Sequence, residues 1–243
     1  MRRGLERLLS KMGLCSRTEA RALIRAGRVR VNGAVIVYPE AWFDADQDDI
    51  AVDGKRLAAK EKLYGVLHKP RGYLTTRTDP DGRLTIYALL GSLGAWVVAV
   101  GRLDLDTSGL LLVTNDTQFA EVITNPDSHV PKTYKVECSP RLDDAALDRL
   151  RKGVVLHDGP TRPAAVTRLA DRGPCSVFEI TITEGRNRQV RRMVKEVGAK
   201  VQKLQRTSIG PLALGNLASG KVRKLSGLEV RALLDAARTA KRG

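Results

Sequence analysis

Three stretches of this chain carry residue types at spacings that could do chemistry. The first is GRLDLDTSGLLLVTND, residues 101–116, in which Asp104, Asp106, Thr107, Ser108 and Gly109 are wedged between two hydrophobic runs. A polar loop between buried strands is where a rigid sheet can present a carboxylate to a ligand. Aspartates in a tight turn also cap backbone donors, so either role fits these residue types. Glycoside hydrolysis by a carboxylate pair is disfavoured, because side chains at i and i+2 of an extended loop point apart and do not flank one bond.

The second stretch is EGRNRQVRRMVKEVG, residues 184–198. Val190, Met193, Val194 and Val197 recur at i, i+3, i+4, i+7 and define the buried face of a helix. Arg188, Arg191, Arg192 and Lys195 lie on the other side. At 3.6 residues per turn, Arg191 falls about 60° from Val194, nearer the buried face than Arg192. An arginine turned inward needs an anion, which an aspartate would supply. Arg188, Arg192 and Lys195 are then expected to be free for phosphates. The third stretch, PKTYKVEC (131–138), places Tyr134 on a strand between basic flanks, where its ring could stack on a base. Such a tyrosine can equally serve the core.

Composition says what these residues would act on. The chain has 243 residues, with 42 Lys plus Arg against 27 Asp plus Glu, a formal charge of +15. That excess points to a polyanion, most often nucleic acid. Aromatics make up only 4% of the chain, so a row of stacked bases fits poorly and backbone contacts fit better. No apolar run approaches the ~18 residues of a membrane span, and the basic start MRRGLERLLSKMG is broken by charges where a signal peptide would be apolar. A cytoplasmic chain is expected. Cys15, Cys138 and Cys175 form no CxxC, and His68, His129 and His157 no HExxH, so neither disulfide nor metal is expected.

The elements that must position these residues fall into two groups. Leu5, Leu8, Leu9 and Met12 line one helix face, and Gly13 ends that helix. Ser16 and Glu19 form an S-x-x-E capping box for a second helix running from about Arg17 to Ala26. Arg17, Arg21, Arg25 and Arg28 stripe that helix opposite Ala20, Leu23 and Ile24. A hairpin at Asn32-Gly33 follows, then a turn at Asp53-Gly54. Acidic residues at 40, 44, 46, 48, 49 and 53 leave the positive surface one-sided. GKRLAAKEK (54–62) has linker composition. From Leu63 short strands and helices alternate without a βαβ cadence or a GxGxxG, which predicts an α+β domain on a mixed, largely antiparallel sheet. The expected division is 1–55, a linker at 56–62, a larger domain at 63–238 and a basic tail at 239–243.

SRTEARALIRAGRVRVNG resembles the S4 RNA-binding domain. The strings HKPRGYLTT, GRLDLDTSGLLLVTND, KTYKVE, EGRNRQVRRM and RTSIGPLALGNL resemble, in order and spacing, the motifs of the pseudouridine synthases of the RsuA/RluB/RluE/RluF group. The resemblance runs from about residue 4 to residue 235. One departure is Thr117, where the group usually has Gly.

The resemblance implies a small S4-like αα-β domain followed by a synthase domain that converts uridine to pseudouridine in ribosomal RNA without a cofactor. It implies Asp104 as the essential carboxylate, Tyr134 packing on the target base and Arg191 pairing with the aspartate. The arginine is expected to outweigh burial and keep Asp104 charged at neutral pH. Arg102 would orient the RNA, and Asp106 would organise the loop. Arg17, Arg21, Arg25, Arg28, Arg188, Arg192 and Lys195 would bind RNA. The target would be a uridine flipped out of structured RNA, and the enzyme a monomer. A non-catalytic S4-type RNA-binding or ribosome-assembly factor is the alternative, though it gives no reason for Asp104, Tyr134 and Arg191.

Overall fold

A computed structural model of the chain describes residues 2–45, 47–57, 61–93 and 96–239. Residues 58–60 of the expected linker and 240–243 of the expected basic tail lie outside them. The chain divides into two compact units, one built mainly from the first 63 residues and the other from Tyr64 onward.

In the first unit, helices α1 (Leu5–Lys11) and α2 (Arg17–Arg25) pack together, and both halves of the Ser16/Glu19 capping box form. Ser16 Oγ accepts from Glu19 N at 3.2 Å, and the Glu19 carboxylate accepts from Ser16 N at 2.7 Å. Two of the donors orphaned at the helix start are thereby satisfied. The ribbon comprises β1 (Val29–Val31), β2 (Ala34–Ile36), β3 (Ile50–Val52) and β4 (Lys55–Arg56), in spatial order β2-β1-β3-β4. Asn32 and Gly33 both take positive φ (51° and 84°), as a type I′ turn requires. Asp53 and Gly54 repeat the pattern between β3 and β4. Leu5, Leu8, Leu9, Ala20, Ile24, Val29 and Ile50 form one buried cluster.

The second unit is α+β. Its sheet contains β5 (Tyr64–Lys69), β6 (Val98–Val100), β7 (Ser108–Thr114), β8 (Lys132–Ser139), β9 (Ala165–Arg172), β10 (Cys175–Ile182), β11 (Lys200–Ile209), β12 (Leu212–Ala213) and β13 (Val222–Lys224). Its main path runs β9-β10-β8-β11-β7-β5-β13, with β6 beside β7 and β12 beside β11. The pairs β9/β10, β10/β8, β8/β11 and β5/β13 are antiparallel, and β11 runs parallel to β7. Helices α3 (Thr117–Thr124), α4 (Asp144–Lys152), α5 (Gln189–Glu196) and α6 (Gly227–Thr239) complete the unit.

Two apolar clusters hold the layers. Val136, Phe178 and Ile180 of the sheet pack with Leu147 and Leu150 of α4 and Met193 and Val194 of α5. Leu110, Leu112 and Ile209 pack with Phe119 and Ile123 of α3 and Leu233 of α6. Fully burying side chains of this size contributes roughly 1.5–3 kcal/mol each. Thr117, the departure from the motif, simply opens α3. The short apolar run TIYALLG forms only a 3₁₀ turn, Ile86–Leu89, because it is too short before Gly91 to close further α-helical bonds. Among the described residues no helix is long and apolar enough to cross a membrane.

Candidate active site

The loop between β6 and β7 is tied down carbonyl by carbonyl. Thr75 Oγ1 donates to Leu103 O at 2.8 Å, and Gly72 N to Leu105 O at 2.8 Å. Arg191 Nη2 donates to Asp106 O at 3.0 Å. The Lys69 ammonium donates to Asp104 O at 2.9 Å and Thr107 O at 2.8 Å, and also to Pro70 O at 3.1 Å. Five consecutive carbonyls, 103 to 107, thus have donors from β5, from the 72–75 segment and from α5. Leu103 anchors the loop in the core, while the Asp104 carboxylate keeps 31% of its surface. A fixed backbone carrying an accessible carboxylate is what a general base or nucleophile needs.

Lys69 is fully buried, and the sequence reading named no role for it. Burial pushes its pKa down to about 8, although the nearby Asp104 and Asp106 charges act to raise it. It is therefore an ammonium at neutral pH with all three N–H groups committed to carbonyls. Replacing it as Lys69→Met would leave three acceptors without their donor, each costing about 1–3 kcal/mol when buried. Net destabilisation of about 2–4 kcal/mol is expected, because removing the buried charge offsets part of that loss. The pH dependence has a definite sign. Between about pH 8 and the ordinary lysine value of 10.5, the unfolded chain binds a proton that the folded chain has lost. Stability relative to Lys69→Met must then rise with pH across that window. Urea melts of both proteins at pH 7, 8 and 10 check this; a gap that narrows contradicts the assignment.

The arginines depart from expectation in an informative way. Arg191 does turn inward, with 12% of its side chain exposed, but its ion pair is with Asp106 at 3.1 Å. The pairing implied for Arg191 and Asp104 is replaced by Arg188, whose Nη1 lies 3.5 Å from Asp104 Oδ2 and 3.3 Å from Asp106 Oδ1. The cause is backbone geometry. Arg188 sits just before α5 in the left-handed region (φ 47°, ψ 34°), rarely occupied by a long side chain. That turn sends its guanidinium across the loop from the start of α5, while Arg191, one turn later, reaches the loop's next carboxylate. Burial acts to raise the Asp106 pKa, but hydrogen bonds from Arg188 and the Arg191 charge outweigh it, leaving the carboxyl below the ordinary aspartate value. Asp106 is thus the charge that two arginines share.

Arg192 is not free for phosphate. It makes a two-pronged pair with Asp158, at 2.9 and 3.0 Å. Lys195 and Arg102 remain exposed, and Arg102 lines the cleft. In the first unit Arg21 is paired with Glu6 and Arg28 with Asp53. Arg17 and Arg25, both exposed, are the members of the stripe without an ion pair among the described residues. Residues that pair across such distances in sequence are invisible to helical periodicity.

The loop opens on a cleft of about 730 Å³. Asp104, Arg102 and Arg188 lie along it, with Tyr134, Ile182, Val190 and Leu204 as its flatter, apolar part. Tyr134 is half-buried on β8, opposite Ile180 on one side and Arg206 on the other. Two cations that the sequence reading left out also line it: Lys132, at the head of β8, and Arg206, on β11. Gln189 was missed as well. It is buried where its amide holds Glu184 and accepts from Arg186 N at 3.1 Å, which fixes the turn leading into α5. The signal available for Lys132 and Arg206 was a basic residue at an inward position of an otherwise alternating strand.

An accessible carboxylate on a braced loop, a ring beside it and a basic rim are consistent with work on a nucleic-acid base. Comparison with known proteins is specific on this point. Residues 64–196 match the model of the RNA pseudouridylate synthase family, and residues 3–36 that of the S4 domain. An RNA pseudouridine synthase of Aquifex aeolicus is 38% identical over 96% of this chain and 94% of its own length. The ribosomal large subunit pseudouridine synthase B of Bacillus subtilis is 36% identical over 94% of each chain. A crystal structure of a pseudouridylate synthase superposes with a TM-score of 0.67 at 31% identity, covering 95% of this chain and 99% of that one. The chain belongs to the RNA pseudouridine synthase family and carries an S4 domain at its N-terminal end.

Proposed function

We propose that the protein isomerises a uridine of large-subunit ribosomal RNA to pseudouridine, with Asp104 as the essential carboxylate. The observation that carries this is the loop itself: five hydrogen bonds from four residues immobilise the backbone on which Asp104 faces the cleft. The large-subunit target rests on relatives named for it. No group is added or removed in the reaction, so the site needs only to hold the nucleotide, break the bond at N1 and allow it to re-form at C5. A base within a helix cannot reach such a cleft, so the target is flipped out, and Tyr134 stacks on it.

Arg191 serves the site by bracing the loop through Asp106 and its carbonyl, and Arg188 is the arginine beside Asp104. Arg102 and Lys195 meet phosphates along the catalytic domain (63–238), Arg188 being held by Asp104 and Asp106, and Arg17 and Arg25 lead the contacts of the S4-like domain (1–55). The enzyme acts as a monomer in the cytoplasm. Pseudouridine maps of ribosomal RNA from cells with and without the gene test the reading. One large-subunit position should lose its modification; a map unchanged at every position would instead identify a non-catalytic assembly factor.

A further inference from the structure

Arg206 is the most conspicuous side chain of the cleft that the proposed chemistry has not used. It is 4% exposed, and its Nε donates to Leu110 O at 2.7 Å. Neither Nη atom has a hydrogen-bond partner among the described residues, and Nη2 is fully buried. No carboxylate among them lies within ion-pair distance of it. Its charged neighbours include two further cations, Lys69 and Lys132, whose ammonium groups it disfavours. Lys69 is spent on loop carbonyls, and Lys132 donates to Val130 O at 2.9 Å. A buried guanidinium whose Nη donors are unused is costly unless something negative arrives.

Position says what arrives. Arg206 is the cross-strand partner of Tyr134, and both line the cleft with Leu204, Ile182 and Val190. A solvated phosphate belongs at the exposed rim, where Arg102 stands. A flat, partly apolar ring held against Tyr134 belongs beside Arg206.

Resting on the proposed synthase activity, we propose that Arg206 is a further catalytic residue, which hydrogen-bonds a carbonyl oxygen of the flipped uracil and stabilises the negative charge the ring carries while detached. When the C1′–N1 bond breaks, its electron pair leaves on the ring, and the charge spreads over N1, C5 and both carbonyl oxygens. The ring turns, its C5 forms the new bond to C1′ with that electron density, and the proton shed from C5 is balanced by one taken up at N1. The anion exists only between these two bond changes, so a preorganised donor aimed at it lowers the barrier without tightening substrate binding.

The test uses full-length protein and ribosomal RNA carrying 5-tritiated uridine, prepared from cells lacking the gene. Single-turnover tritium release and RNA affinity are measured for the wild type, Arg206→Met, Arg206→Lys and Asp104→Asn. Arg206→Met is expected to slow release roughly 100-fold, as removal of one anion-stabilising donor does, while the Kd stays within about threefold. Arg206→Lys, which keeps the charge, is expected to recover at least about tenfold of the loss. Release by Arg206→Met within about threefold of wild type overturns the proposal. So does a phosphate pattern, in which affinity falls and the salt slope drops by about one. So does equal loss in Arg206→Lys and Arg206→Met, which marks a role in packing alone. Inactive Asp104→Asn beside normal Arg206→Met removes this inference and leaves the synthase reading standing. Wild-type protein that releases no tritium removes the synthase reading itself.

Discussion

Asp104→Asn is expected to lower tritium release from 5-tritiated uridine in ribosomal RNA by roughly 10⁴-fold, the scale of losing a side chain that acts in the bond-breaking step. The change is nearly isosteric, and the loop does not depend on this carboxylate for its shape. Its carbonyls are held by Lys69, Thr75, Gly72 and Arg191, none of which donates to the Asp104 side chain. What disappears is a negative charge able to attack the sugar or remove a proton, together with one 3.5 Å ion pair to Arg188. That pair is half-exposed and contributes only about 0–1 kcal/mol. RNA affinity and unfolding midpoint should therefore stay close to wild type, and a variant that still released tritium at the normal rate would overturn the assignment of Asp104.

Gly109→Ala is expected to have the largest effect on the fold. Gly109 sits in the parallel pairing of β7 with β11, where it faces Arg206. A Cβ placed there would lie 2.2 Å from the backbone oxygen of Arg206, 2.6 Å from its nitrogen and 2.9 Å from its carbonyl carbon. Those are main-chain atoms in the middle of β11, so no side chain can swing aside. The backbone at this residue also has φ +110°, a conformation L side chains rarely adopt. Strand separation and conformational strain together should cost about 3 kcal/mol or more. Urea denaturation measures this directly, and a variant within about 1 kcal/mol of wild type would show that β7 and β11 are not closely paired at this point. Activity should fall with stability, because the same displacement moves Arg206 and the end of the catalytic loop.

How much of this was legible in the sequence depends on how local the cause is. The Ser16/Glu19 box, the Asn32-Gly33 turn and the apolar face of α5 are set by residues within one turn of each other, and each is present in the structure. The catalytic-loop stretch was conspicuous because polar residues interrupt a hydrophobic run. Partner choice was not legible. Arg191 meets Asp106 across 85 positions, and Arg192 meets Asp158 across 34. Helical periodicity orients each arginine on its own helix but carries no information about what the next element offers. The left-handed turn at Arg188 is a further case, since nothing in RNRQ announces it. Lys69 and Arg206 were passed over because a lone basic residue in a strand usually belongs to a solvated edge. Only the three-dimensional surroundings reveal that one is saturated with carbonyls and the other lacks an anion.

The donors that brace the catalytic loop straddle it in the chain, and this bears on the order of events during synthesis. Lys69, Gly72 and Thr75 precede the loop, whereas Arg191 comes 85 positions after the carbonyl it holds. A polypeptide leaving the ribosome from its N-terminal end completes its domains in that order. The helices and ribbon of the first unit close on contacts available by about residue 57, long before Arg191 or Arg206 has been made. A growing chain therefore possesses its S4 unit while the carboxylate loop is still slack on one side. If Asp104 and Arg206 act as proposed, modification would become possible only once α5 and β11 have been made, and the site would be among the last parts of the molecule to be finished.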